Sequence, residues 1–410
     1  MKASAFTKDG DFAVGLDVGT TKICAISGTL EAGNVRIICV GTSPSFGLRK
    51  GIVVDAGLAA SSIKTALKNA EDAMGHTIAS VVVGIAGGHI KGFSGYGAIG
   101  VKGGVVREED VDRLMDSASA VYVPVDREIL HVMPSGFRLD GNNGIKDPVG
   151  MSCERLEAQV HIVTGSVTSV QNLIRCSEIA GVEVADIVLE PLASADAVLS
   201  EAEKEKGVAL VDIGGGTTDI AVYRNGVLRH TAVLALGGNH ITNDLAVGLG
   251  IQVEEAERLK KTFGSAMSGM TDEMRDIDVY DSCGQMTRVP VWHLLEVIQP
   301  RCEELMALVK KEAFNAAPAV SSVVLTGGTS LLNRIDVLAE SVLGCPVRMG
   351  IPENVINGEY VKSPAYATGI GLLQHGISIK AAQAGAPTMK RLTSSSIFER
   401  MKSWVREYLK

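Results

Sequence analysis

The chain contains no uninterrupted apolar run of about 18 residues, so no segment is expected to cross a bilayer as a helix. Met1–Gly10 is mixed and polar and lacks the apolar core of a signal peptide, so the expected compartment is the cytoplasm. The cysteines Cys24, Cys39, Cys153, Cys176, Cys283, Cys302 and Cys345 are odd in number and scattered, with no CxxC pair and no Cys/His cluster. That pattern excludes a disulfide framework and a zinc-finger type of site, and leaves thiols that behave as small apolar side chains. Positive charge is also short. A formal net charge of -8 speaks against a general nucleic-acid binder.

What is present is a long chain with ample core. Its 410 residues exceed one ordinary hydrophobic core and predict two or more domains. Short β-branched runs (Phe12–Leu16, Ser80–Ile85, Val208–Ile213, Ile220–Tyr223, Ser322–Leu325) alternate with helical patterns at Ala59–Met74, Val167–Ile179 and Trp292–Ala313. This alternation predicts an α/β architecture. Many of the 46 glycines directly follow strands, where they let a ligand approach the backbone.

One pattern occurs twice. Val14-Gly15-Leu16-Asp17-Val18-Gly19-Thr20-Thr21-Lys22 and Leu210-Val211-Asp212-Ile213-Gly214-Gly215-Gly216-Thr217-Thr218-Asp219 both read strand, Asp, glycine turn, Thr-Thr, strand. The repeat predicts a duplicated domain rather than a solenoid. Glycine turns expose N–H groups to phosphate oxygens, and Thr20, Thr21, Thr217 and Thr218 add hydroxyl donors. Two such turns facing each other would clamp a triphosphate. Asp17 and Asp212 suit a Mg²⁺ placed between them and the phosphates, since Mg²⁺ takes carboxylate, phosphate and water ligands. Lys22 would neutralise phosphate charge. Taken singly, each motif also reads as an ordinary β-hairpin. A third glycine turn, Thr326-Gly327-Gly328-Thr329-Ser330, follows the run Val323-Val324-Leu325 and could face the nucleoside.

Two stretches differ from this frame. Gly84–Thr164 is glycine-rich at its start and then carries a charged helix start at Arg107–Asp112, as an inserted domain would. Ile241–Pro318 reads as mostly helical and forms a second insertion. After Gly376 the chain turns Ala-, Gly-, Ser- and Thr-rich, the composition of a flexible tether.

The last segment, Ser394–Lys410, changes character again. Ile397, Phe398, Met401, Trp404, Val405, Tyr408 and Leu409 share one helical face. Arg400, Lys402, Arg406 and Lys410 oppose only Glu399 and Glu407, so this segment is +2 in a chain of -8. An amphipathic helix docked on the protein's own core is one reading. The tether and the local basic bias favour a helix lying in an anionic membrane surface. One such helix binds reversibly, and a row of linked subunits binds more firmly through avidity.

Together, Asp17–Lys22, Asp212–Asp219 and Thr326–Ser330 resemble the two phosphate motifs and the adenosine motif of the actin, heat-shock chaperone and sugar-kinase superfamily. Glu190-Pro191-Leu192-Ala193-Ser194-Ala195 and Tyr366-Ala367-Thr368-Gly369 resemble its two connecting helices. All five occur in the superfamily's order and span most of the chain. Within it, Gly207–Tyr223, Leu228–Thr231, Glu296–Arg301, Ile145–Ser152 and the terminal helix are similar to a bacterial cell-division family.

The resemblance implies an actin-like duplicated ATPase fold in four subdomains. Residues 1–83, 165–198 and 358–380 would form subdomain 1A, and 84–164 the family-specific inserted subdomain 1C. Residues 199–240 and 319–357 would form 2A, and 241–318 the helical 2B over the nucleotide. A flexible linker, 381–393, and a membrane helix, 394–410, would follow. It implies ATP and Mg²⁺ as cofactors. Gly19–Lys22 and Gly214–Thr218 would hold phosphates, with Gly327, Gly328 and Thr329 at the adenosine. Glu257 and Lys260 match adenosine-flanking positions, and equally fit a solvated helix face. Glu190 matches an acid that orients water in several relatives, and equally fits an acidic first helical turn followed by Pro. The implied role is to polymerise on the inner membrane at the division site and tether the tubulin-like protein FtsZ. Other divisome proteins would be recruited as further partners. At most a slow ATPase is expected. A sugar-kinase-like phosphotransferase or a pilus-assembly ATPase of the same fold is the alternative, although no substrate motif is visible.

Overall fold

The computed structural model describes residues 12–269, 274–281, 284–316 and 320–384. The expected membrane helix and all of the expected linker beyond Ala384 lie outside the described residues.

Two sheets carry the fold, and they have the same order. In the first, Glu183–Leu189, Ser80–Ile85 and Ala13–Val18 run parallel. Lys22–Glu31 and Asn34–Pro44 then continue from Ala13–Val18 as an antiparallel meander, and Val355–Ile356 closes the edge. In the second, Val347–Met349, Ser322–Thr326 and Val208–Ile213 run parallel, and Thr218–Arg224 and Val227–Leu234 form the meander. The repeated motif is therefore a repeated topology.

Burial explains the strand sequences. All six residues of Val208–Ile213 are buried, as expected for a strand covered on both faces. Ala209, Val211 and Ile213 face one apolar core, whereas Val208 and Leu210 join the core shared with the first lobe. In the first lobe the helix Ala56–Met74 starts at Asp55, whose side chain accepts from Leu58 N–H. It ends at Gly75 in the left-handed region, φ 77°. Its buried face is mostly alanine, which brings helix and sheet close. A Cβ on Gly41 would lie 2.1 Å from Ala66 O.

Two helices join the lobes: Glu190–Val198 and Ala367–Ala384. They cross so tightly that a Cβ on Gly371 would lie 1.8 Å from Ala193 O. The second continues through Ala384, past residue 381 where the linker was expected to begin. Alanine-rich sequence is good helix former as well as tether, and here the helix reading wins.

The insertions are distinct bodies. Lys91–Gly100, Arg155–Ser166, Arg127–Leu139 and Asn142–Ile145 form an antiparallel sheet under the helix Glu108–Ser119, with a core of their own. The second insertion holds the helices Gly238–Leu249, Val253–Phe263 and Trp292–Ala316. It also carries a hairpin, Asp276–Tyr280 with Met286–Pro290, in a stretch read from sequence as mostly helical.

Candidate functional site

Each lobe ends its first strand in the same turn. Gly19 N–H donates to Lys22 O at 3.1 Å and Gly214 N–H to Thr217 O at 2.9 Å. The turns meet tip to tip: a Cβ on Gly216 would lie 2.6 Å from Thr20 Oγ1, and one on Gly215 would lie 2.3 Å from Thr21 Cγ2. Only glycine permits this approach. Two expected donors are engaged within the protein: Thr217 donates to Asp219 and Thr218 donates to Leu236 O. Thr20 Oγ1 accepts from Gly51 N–H, which leaves its own proton to donate.

The third turn joins the second. Thr329 Oγ1 donates to Gly214 O at 2.9 Å, and a Cβ on Gly327 (φ 87°) would lie 2.3 Å from Asp212 Oδ1. Gly328 faces open space. The helix Gly238–Leu249 starts here, with Gly238 and Asn239 N–H donating to Gly214 and Gly215 O. Glu257 and Lys260 support that start. Lys260 Nζ donates to Gly238 O at 3.1 Å and Thr242 Oγ1 at 2.8 Å, and pairs with Glu257 at 2.6 Å. Lys260 is buried, so the solvated-face reading fails for it. Its burial lowers its pKa against the opposing pull of Glu257. The paired cations hold Glu257 below the usual carboxylate range despite partial burial.

Acids converge beneath the turns. Asp212 Oδ2 accepts from Ser194 at 2.6 Å and Thr368 at 3.1 Å, one hydroxyl from each connecting helix. Burial still raises its pKa, opposed by those two hydroxyls and Lys22. Burial pushes Asp17 up to about 6, with Lys22 opposing and Asp212 reinforcing. Asp219 rises to about 8 through burial and Asp212, and its Oδ1 has no hydrogen-bond partner. Glu190 is raised well above the usual range by burial, then by Asp17, Asp219 and Asp212. Lys22, the nearby cation, donates to Ala365 O at 2.8 Å and lies 3.9 Å over the Tyr366 ring.

The structure thus brings together Asp17, Glu190, Asp212, all three glycine turns, Glu257 and Lys260. Asp219, Ser194 and Thr368 were not singled out from sequence, although each sits inside a motif that was. Ile397, Phe398, Arg400, Met401, Lys402, Trp404, Val405, Arg406, Tyr408 and Leu409 lie outside the described residues.

Duplicated sheets, mirrored glycine turns and paired acids at a hinge define an actin-like ATPase fold. Solved structures agree. The PilM-PilN type IV pilus biogenesis complex aligns with a TM-score of 0.65 at 18% identity, covering 89% of this chain and 98% of that one. MreB5 of Spiroplasma citri bound to ADP aligns with a TM-score of 0.59 at 15% identity, covering 92% and 100%.

Sequence relatives narrow the class. The chain is 39% identical to the cell division protein FtsA of Pseudomonas aeruginosa over 98% of its own length and 99% of the relative's. It is 38% identical to FtsA of Bacillus subtilis, covering 89% and 83%, and 35% identical to FtsA of Escherichia coli, covering 97% and 98%. Family profiles for cell division protein FtsA match residues 209–371, for the SHS2 domain inserted in FtsA residues 87–164, and for Hsp70 protein residues 169–246. The chain belongs to the FtsA family of cell division proteins.

Proposed function

We propose that this protein binds Mg-ATP between its two glycine turns, polymerises on the inner membrane in that state, and tethers FtsZ there while recruiting later divisome proteins. The acid cluster carries the nucleotide reading. Asp17, Glu190, Asp212 and Asp219 are buried in one cleft beside Lys22; burial raises the pKa of each, Asp212 further raises the other three, and Asp17 further raises Glu190 and Asp219. Buried acids that repel each other are stabilised by a cation, and a divalent ion has the required charge. Among the described residues no group of three or more potential ligands is close enough to hold a metal alone. Asp17 and Asp212 therefore suit Mg²⁺ held largely through water and phosphate oxygens.

The turn backbones from Gly19 to Lys22 and Gly214 to Thr218 would hold the phosphates. Gly327, Gly328, Thr329, Glu257 and Lys260 would border the adenosine. When bound, Mg²⁺ supplies charge stabilisation at the phosphate tail. Glu190 sits at the start of a helix beside Asp17 and would orient water toward the γ-phosphate. Tight binding with slow hydrolysis is the expected behaviour.

The membrane reading rests on the sequence of Ser394–Lys410. FtsZ is assigned to the subdomain Ile241–Pro318, and neighbouring subunits to Gly84–Thr164. Electron microscopy on lipid monolayers with ATP tests the whole: filaments are expected, and dispersed monomers that consume ATP only with a sugar would favour the kinase. Trp404→Glu is expected to release the protein from liposomes, and unchanged pelleting would remove the anchor. Phosphate release on liposomes is expected to fall in Glu190→Ala. Equal rates would remove its catalytic role.

A further inference from the structure

The inserted subdomain touches both sides of the hinge. His131 Nε2, on its strand Arg127–Leu139, accepts from Leu189 N–H at 2.9 Å, the residue before the first connecting helix. His161, on the neighbouring strand Arg155–Ser166, shares a hydrogen bond of 2.9 Å with Thr231 Oγ1 of the second lobe's sheet. His131 and His161 lie on strands in register, opposite Val163 and Met133. Both histidines and Thr231 are buried.

The second contact is close-fitted. A Cβ on Gly92 would lie 2.6 Å from Thr231 Oγ1 and 2.7 Å from His161 Nε2, so the third strand at this junction must be glycine there. Ser135 Oγ adds a bond to Leu228 O at 3.2 Å, and Lys146 pairs with Glu205 at 2.8 Å. Burial and His230 depress the His161 pKa to about 4, so the His161–Thr231 contact carries no charge near neutral pH.

The strand that bears Thr231 leads to the glycine turns. Val227–Leu234 pairs with Thr218–Arg224 and places Leu234 opposite Thr218. Two residues further, Leu236 O accepts from Thr218 Oγ1, and Gly238 N–H then donates to Gly214 O. One short segment therefore links the seat of the inserted subdomain to the phosphate-turn backbone.

We propose that the inserted subdomain is a strut across the hinge, held to the first lobe by His131 and to the second by His161, which couples its own orientation to the closure of the nucleotide cleft. This rests on the ATP reading above. Coupling of this kind is reciprocal: if ATP reseats the strut, a displaced strut alters ATP affinity by the same factor.

The test uses the full-length protein with Mg-ATP. Gly92→Ala wedges the junction, and Thr231→Val removes the hydrogen bond while keeping shape. Calorimetry reads affinity, and hydrogen exchange reads Lys91–Gly100 and Arg155–Ser166 with and without ATP. In the unmodified protein ATP is expected to change exchange in both strands. Gly92→Ala is expected to shift ATP affinity about 5-fold or more and to abolish that change. Thr231→Val shifts both in the same direction by less, and carries the test if the wedge prevents folding. Variants that keep the affinity within about twofold and the full exchange response overturn the strut alone. Absence of ATP binding by the unmodified protein overturns the nucleotide reading and the strut with it.

Discussion

The two lobes repeat one sheet order but take their insertions at different places. The first lobe inserts its extra domain after the fourth core strand, Ser80–Ile85, whereas the second inserts after the third, Val227–Leu234. In both, the turn between the first and second strands is left alone. Loops at sheet ends accept added chain at little cost, while two backbones in tip-to-tip contact accept nothing. The turns therefore keep their form in both halves, and each lobe's additions set what else it can touch.

The mirrored aspartates differ in the same way. Lys22 offsets both aspartates, but Asp212 also accepts two hydroxyls donated by the two connecting helices. Asp212 is fixed by hydrogen bonds as well as balanced by charge. This separation can be broken in stages.

The largest effect is expected at the crossing that both halves share. Gly371→Leu forces apart helices whose backbones leave no room for a Cβ. A loss of about 3 kcal/mol or outright failure to fold is expected, read by thermal melting. Next come the acids. Asp17 and Asp219 have folded pKa values raised to about 6 and about 8, so the folded state holds more protons than the unfolded one above pH 4 or so. Nucleotide-free protein should thus lose stability as pH rises toward 8. Asp219→Asn should flatten the upper part of that decline and Asp17→Asn the lower part, in melts from pH 5 to 8.5.

A third change sharpens the aspartate comparison. Ser194→Ala removes a charge-assisted bond from Asp212 and none from Asp17. Such bonds contribute about 1.5 kcal/mol or more, so Mg-ATP affinity is expected to fall roughly tenfold, measured by calorimetry. The smallest effect concerns the first lobe alone. Asp55→Ala removes a helix cap and should cost about 1 kcal/mol with ATP affinity unchanged, read by urea unfolding.

Much of the site was legible because glycine turns and their flanking acids are adjacent in sequence. Asp17–Lys22 and Asp212–Thr218 each form one turn, and period and spacing suffice to read them. Lys260 was reached only through the family resemblance, and its burial was not legible. On a helix written Val-Glu-Glu-Ala-Glu-Arg-Leu-Lys-Lys it looks like any surface lysine, and only packing shows that it is buried under Gly238. The hydroxyls of Ser194 and Thr368 were equally silent, since they meet Asp212 across 18 and 156 residues. The hairpin Asp276–Tyr280 with Met286–Pro290 escaped because the alternation in Asp276–Tyr280 spans only five residues and its partner strand, mostly exposed, has none.

By itself the sequence determined the duplication and the glycine turns with their flanking aspartates, because each is written in consecutive residues whose conformational preferences are local. Only the tertiary structure decided which acids share one cleft, which lysine is buried and where the inserted domain rests. Those outcomes depend on distances between residues far apart in the chain, which close packing sets and local preference does not.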